Sequence, residues 1–289
     1  MKNVLNYIKL MRPKHYIKNV LIFVPLMYSQ NLTSFDAIFL AFVCFTVFCF
    51  IASGVYIVND IVDCEKDKKH PKNKKRPIAS GKVDKTEASV LAFFLFFAGF
   101  LATALLNENT LPVLIIAVFY ALMNIAYSLK LKHVVVLDSF CIAAGFVLRI
   151  YAGGAAIGEN ISGWLFLTIV MGSLFMTFGK RRGEKAFVKD SDAVREVVKK
   201  YDLNFLTNMM YLCAGVSITF YALWAMTSVP LMIYTVPVVI FIIARYLLSS
   251  LNESSFGDPV SVIFEDMLLI GAVFLFGFMS FIFLYGVWF

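Results

Sequence analysis

The residues best suited to chemistry are three aspartates in the segment Asn59–Asp67. If a helix runs through it, Asp60, Asp63 and Asp67 fall at i, i+3 and i+7 on one face, with Asn59 and Asp63 as i, i+4 neighbours. Carboxylates stacked over two turns repel one another unless a cation sits between them. Mg²⁺ suits such a site, since it takes a few carboxylates and fills its shell with water and substrate phosphate oxygens. The basic stretch Lys66–Arg76 follows directly and can neutralise the same phosphates, while Pro71 and Pro77 break the helix and turn the chain. A solvated charged loop would account for the lysines but not for aspartates at helical spacing. The expectation is therefore a magnesium–diphosphate site with Asn59, Asp60, Asp63 and Asp67 as metal ligands.

Two further segments carry charge where it is costly. Asp138 lies within an apolar stretch and shares a helical face with Ile142, Gly145 and Arg149. At 1.5 Å per residue the two charges are separated by about 16 Å along the helix, so each needs a different partner, either a bound ligand or another helix. In Gly179–Phe187, Lys180 and Glu184 are spaced for an i, i+4 pair, and the basic run also complements a helix C-terminus. Near the start, Arg12, Lys14 and Lys18 read as snorkelling anchors, or Lys14 and Lys18 reach a site from one face. His15, His70 and His133 read as interfacial residues. The five cysteines, odd in number and widely spaced, read as packed thiols.

The elements that must position these residues are membrane helices. The chain of 289 residues is 60% hydrophobic and only 16% charged, with a mean hydropathy of +0.80. Its net charge of +7 could suggest a nucleic-acid partner, but the distribution argues otherwise. Of the 26 Lys and Arg, 24 fall in Met1–Lys18, Asp63–Glu87, Lys130–Lys132 and Gly179–Lys200, and the alternating polar breaks hold none. This is the positive-inside pattern, placing the N-terminus in the cytoplasm of a multi-pass cell-membrane protein with no nucleic-acid partner. Nine spans are expected: Lys14–Leu32, Phe35–Ile61, Thr86–Leu106, Leu111–Leu129, Val134–Ile157, Gly163–Phe178, Phe205–Met226, Leu231–Ser250 and Val262–Trp288. The N-terminal stretch does not read as a cleavable signal. Residues 1–289 read as one membrane-embedded catalytic domain, with homo-oligomerisation left open.

These motifs resemble the UbiA superfamily of intramembrane prenyltransferases, whose first acidic motif NDxxDxxxD matches Asn59, Asp60, Asp63 and Asp67 and is followed here by RPIASG at Arg76–Gly81. The resemblance implies an all-α polytopic fold of about nine transmembrane helices around a central cavity. Within the superfamily the chain is most similar to the decaprenyl-phosphate phosphoribosyltransferase branch, through RPKHYIKN at Arg12–Asn19, His70-Pro71, the tyrosine-to-lysine spacing of Tyr127–Lys132, and FVLRIYAGG at Phe146–Gly154. It departs from the usual second motif, DxxxD, because Ile142 stands four residues after Asp138.

The resemblance implies Mg²⁺-dependent transfer of 5-phosphoribose from 5-phosphoribosyl 1-diphosphate (PRPP) to a polyprenyl phosphate at the cytoplasmic face. By the same resemblance, Asp60, Asp63 and Asp138 are catalytic. Lys14, Lys18, Asn59, Arg76, Lys132 and Lys180 bind substrate phosphates, and Tyr127 and Arg149, with Asp138, position the ribose or the acceptor. The superfamily's basic loop often has lysine where this chain has Asn73, so Lys72 or Lys74 would substitute. The alternative is a prenyltransferase acting on an aromatic or glycerol-type acceptor; a small-solute transporter fits the edge location of the aspartates less well.

Overall fold

Apolar runs with capping residues at their starts dictate a chain built from helices. The computed structural model describes residues 2–69, 73–187, 196–251 and 266–286, and among these no strand occurs. The helices are α1 (Lys2–Met11), α2 (Val24–Tyr28), α3 (Phe35–Val62), α4 (Cys64–Lys69), α5 (Lys85–Ala102), α6 (Thr110–Leu129), α7 (Leu137–Ala156), α8 (Gly163–Phe187), α9 (Glu196–Lys199), α10 (Leu203–Ser228), α11 (Val236–Leu251) and α12 (Met267–Tyr285). Short polar side chains satisfy the exposed N–H groups at several starts. Ser34 accepts from Ala37 N at α3, Asp202 from Phe205 N at α10, and Asp266 from Leu268 N and Leu269 N at α12. Asp84 and Glu87 form a capping box at α5.

Among the described residues seven helical stretches are long and apolar enough to cross a membrane: Phe35–Val62, Lys85–Leu129, Leu137–Ala156, Gly163–Ala186, Leu203–Ser228, Pro230–Leu251 and Met267–Tyr285. The second of these, at 45 residues, covers two of the expected spans. Asn107, at φ 54 and ψ −124, breaks it between them. The expected first span, Lys14–Leu32, does not qualify. Pro13 starts a 3₁₀ helix over Pro13–Phe23, and the following α2 has only five residues. Large side chains such as Phe35, Phe93, Phe97, Phe274 and Phe278 are exposed, as lipid-facing residues of such helices are.

The chain divides into two compact units. The first comprises residues 1–134 and 145–160, the second 135–144 and 161–289, so α7 contributes to both. In the first unit the core surrounds α3. Val47, Phe48 and Ile51 pack with Val113, Ala117 and Tyr120 of α6, Ala152 and Ala156 of α7, and Ile22. A smaller cluster joins Leu10 of α1 to Ile57, Cys64, Ile78, Val83 and Ala88. In the second unit Leu174, Phe175 and Phe178 of α8 meet Leu206, Met210 and Cys213 of α10.

Lipid is as apolar as leucine, so close packing rather than water exclusion holds such helices together, and small residues mark the contacts. Gly153 is the tightest. A β-carbon there would lie 2.0 Å from the carbonyl oxygen of Ile22, a backbone atom that cannot swing aside. Gly153→Ala is therefore expected to destabilise the protein by about 1–3 kcal/mol, the usual range for overpacking. A melting curve of the purified variant indistinguishable from that of the parent would show that the 3₁₀ segment yields instead.

Candidate functional site

The acidic segment sits where α3 ends. Main-chain bonds from Asp63 N to Asn59 O and from Asp67 N to Asp63 O carry the helical repeat through the break at Asp63. The three aspartates keep the expected spacing, and basic side chains reach each of them. Asp60, only 2% exposed, is bonded by both Arg12 and Arg76, the latter at 3.1 Å. The same Arg76 nitrogen reaches Asp67 Oδ2 at 2.7 Å, and Asn73 Nδ2 donates to the other oxygen of Asp67 at 3.0 Å. Lys132 Nζ lies 2.6 Å from Asp63 Oδ1. The mutual repulsion of the carboxylates is thus relieved by two guanidiniums and an ammonium. Among the described residues no group of three or more His, Cys, Asp or Glu side chains converges as a metal-binding group.

The donor chemistry nevertheless fits Mg²⁺. Three carboxylates and the half-buried Asn59 amide are hard oxygen donors. Arg12, Arg76 and Lys132, the cations holding them, are groups that would also attract a diphosphate.

Arg12 was legible only as an anchor. It adopts a left-handed backbone conformation, φ 55 and ψ 57, that turns α1 into the 3₁₀ segment and aims its side chain at Asp60. Its guanidinium also lies 5.3 Å from the centre of the Tyr56 ring, against which His15 packs. Asn73, expected to be a weakness of the basic loop, is a direct partner of Asp67. His70, Pro71 and Lys72 lie outside the described residues. Lys14 is exposed, and Lys18 and Tyr127 are half-buried in the same unit.

Arg149 and Asp138 have separate surroundings, as their spacing required. Arg149 donates to Asn19 Oδ1 at 2.7 Å, to Gly145 O at 2.6 Å and to Tyr120 Oη at 2.8 Å. Asp138, in the second unit, is fully buried against Arg181 at 2.7 Å and Tyr201 Oη at 2.6 Å. Glu184, expected to pair with Lys180, is bonded at 2.7 Å by Arg181 instead. Lys180 itself is half-buried. Sequence reasoning missed Arg181 and Tyr201. The signal available was the charge of Asp138, which required a buried cation somewhere in the chain.

Residues 20–256 match the model of the UbiA prenyltransferase family. The chain belongs to that family. The UbiA fold is seen directly in a solved UbiA homolog from Archaeoglobus fulgidus bound to GPP and Mg²⁺, which superposes with a TM-score of 0.74 at 16% identity, covering 96% of this chain and 99% of that one. Among curated relatives, a decaprenyl-phosphate phosphoribosyltransferase from Mycolicibacterium smegmatis is 35% identical over 75% of this chain and 69% of its own length. One of the same name from Mycobacterium tuberculosis is 32% identical over 77% and 74%. The branch resemblance carried by the RPKHYIKN and FVLRIYAGG segments therefore has its counterpart in similarity over 75% of the chain. As a UbiA member the chain is a membrane-embedded transferase.

Proposed function

We propose that this UbiA member transfers a 5-phosphoribosyl group from PRPP to a polyprenyl phosphate and releases diphosphate. The transfer would take place at the cytoplasmic face of the cell membrane, with both units acting as one catalytic domain. The observation that carries the proposal is the acidic cluster interleaved with Arg12, Arg76 and Lys132, together with Ile142 standing four residues after Asp138 where a DxxxD motif would place a second aspartate. The names of the mycobacterial relatives support the choice of donor.

In this reaction the C1–O bond to diphosphate breaks with its electron pair leaving on oxygen, and an oxygen of the lipid phosphate bonds to C1. The transition state is electron-poor at C1 and electron-rich on the leaving group. Arg12, Arg76 and Lys132 are placed to take the leaving group's charge. Asn59, Asp60, Asp63 and Asp67 would hold Mg²⁺, which when bound neutralises the diphosphate and polarises its oxygens. The acceptor is already anionic, so no strong general base is required and alignment is the main task.

The test is direct. Purified protein is given labelled PRPP, polyprenyl phosphate and Mg²⁺, and labelled lipid is expected. If no phosphoribosylated lipid forms and a polyprenyl diphosphate is consumed with an aromatic or glycerol-type acceptor, the donor assignment is wrong. Transfer is also expected to stop in excess EDTA and to return when Mg²⁺ is restored; full turnover in the chelator would remove the metal from the proposal.

A further inference from the structure

Among the described residues two arginines meet no carboxylate, the half-buried Arg182, which donates to Thr207 and to Ser250 O, and the deeply buried Arg149. Arg12, Arg76, Arg181 and Arg245 each meet a carboxylate. Arg149 is only 4% exposed, yet among the described residues its partners are all neutral: the Asn19 amide, the Tyr120 hydroxyl and the Gly145 carbonyl. A guanidinium cannot shed its charge at accessible pH, and a buried charge without a counter-ion is costly. These bonds use three of its five N–H donors, so one on each terminal nitrogen has no partner among the described residues. The neutral cradle also fixes the fork. Tyr120 and Phe146 present ring faces 4.8 and 5.9 Å from the guanidinium carbon, and Asn19 is itself buried.

The cradle adjoins the acidic cluster. Asn19 lies on the 3₁₀ segment that follows Arg12, and Tyr56 lies one helical turn before Asp60 on α3. The Tyr56 ring lies 5.3 Å from the Arg12 guanidinium carbon. A fixed, desolvated guanidinium so placed suits a compact dianion better than a lipid tail or a neutral sugar.

We infer that Arg149, oriented by Asn19 and Tyr120, is the seat of a substrate phosphate monoester, separate from the diphosphate held at Asp60–Asp67. The inference rests on the reaction proposed above, which offers two such groups: the 5-phosphate of the donor and the head of the lipid acceptor. Binding to the full-length protein in nanodiscs, measured by calorimetry with ribose 5-phosphate and with farnesyl phosphate, separates them. Arg149→Gln is expected to weaken one probe by roughly tenfold or more, as truncating a buried charged hydrogen-bond partner does, with Arg149→Lys intermediate. Loss confined to ribose 5-phosphate assigns the donor's phosphate, and loss confined to farnesyl phosphate assigns the lipid head.

Tyr120→Phe removes a single hydroxyl and tests the same seat should Arg149→Gln fail to fold; a several-fold weakening of the same probe is expected. Unchanged affinity for both probes in a folded variant, or no binding of either to the parent protein, overturns the inference. Neither probe undergoes transfer. Failure of the labelled-PRPP assay with intact probe binding would therefore count against the proposed reaction alone.

Discussion

Asp63→Asn is expected to lower the rate of transfer by about 10²–10³-fold, the range seen when one preorganised charge at a reacting group is removed, while leaving the fold intact. The two halves of that expectation have different origins. Asp63 is the most exposed of the three aspartates, with 21% of its side chain accessible, and among the described residues it pairs with Lys132. Lys132 is buried, so this is not the solvent-screened kind of pair worth about 0–1 kcal/mol. The Asn amide oxygen still accepts from the ammonium, so the melting temperature should fall while the fold is retained. The substitution keeps the shape of the side chain and removes its charge. A metal loses an anionic ligand, and Lys132 loses the group that fixes its ammonium beside the leaving phosphates. A variant that keeps more than a tenth of the parent's transfer would show that Asp60 and Asp67 suffice. Asp60→Asn would be a poorer probe of chemistry, because Arg12 and Arg76 both converge on that buried carboxylate and its loss disturbs packing as well.

The aspartates could be found in the sequence because a helix imposes a period, and three carboxylates in register with it have no ordinary explanation. Their counter-ions follow no such rule. Arg12 is 48 residues from Asp60 and reaches it through a left-handed turn ahead of Pro13. Lys132 is 69 residues from Asp63. Nothing in a linear pattern couples positions so far apart. In the run Lys180–Arg181–Arg182, successive residues project about 100° apart around the helix, so one of the three faces inward. The spacing to Glu184 favoured Lys180, but the structure buries Arg181. Arg182 instead donates to Thr207 Oγ1 and Ser250 O. The membrane segments were legible because composition alone marks them. The exception is the first, where apolar content suggested a span but Pro13, Lys14 and Lys18 give a 3₁₀ segment followed by a single short helix.

Arg181→Met should be the most destabilising single change in the second unit. Arg181 and Asp138 are both fully buried, and the guanidinium also bonds Glu184. Removing one member of a buried pair strands the other charge, which typically costs about 3–5 kcal/mol. The pair's surroundings are matched to it. Tyr201 donates its hydroxyl hydrogen to Asp138 and accepts the N–H of Val136 at 2.7 Å, holding that residue at φ 70, a conformation a β-branched side chain rarely adopts. Burial, reinforced by the bond to Asp138, pushes the Tyr201 phenol up to about 12, so the proton it donates stays in place through the neutral range. Because the folded state favours the protonated phenol, this contribution is fully present below pH of about 10 and is lost as the pH rises towards 12.

Asp138 therefore has its oxygens committed to neighbouring side chains, and its expected role is to hold α7 and α8 in register. The double variant Asp138→Leu, Arg181→Met removes both fully buried charges and leaves only the partly exposed Glu184 without its cation. It should recover most of the melting temperature lost in Arg181→Met, because replacing both partners of a buried pair by apolar groups is often neutral. Transfer should recover with it. A double variant that regains its melting temperature but stays inactive would return Asp138 to the catalytic residues.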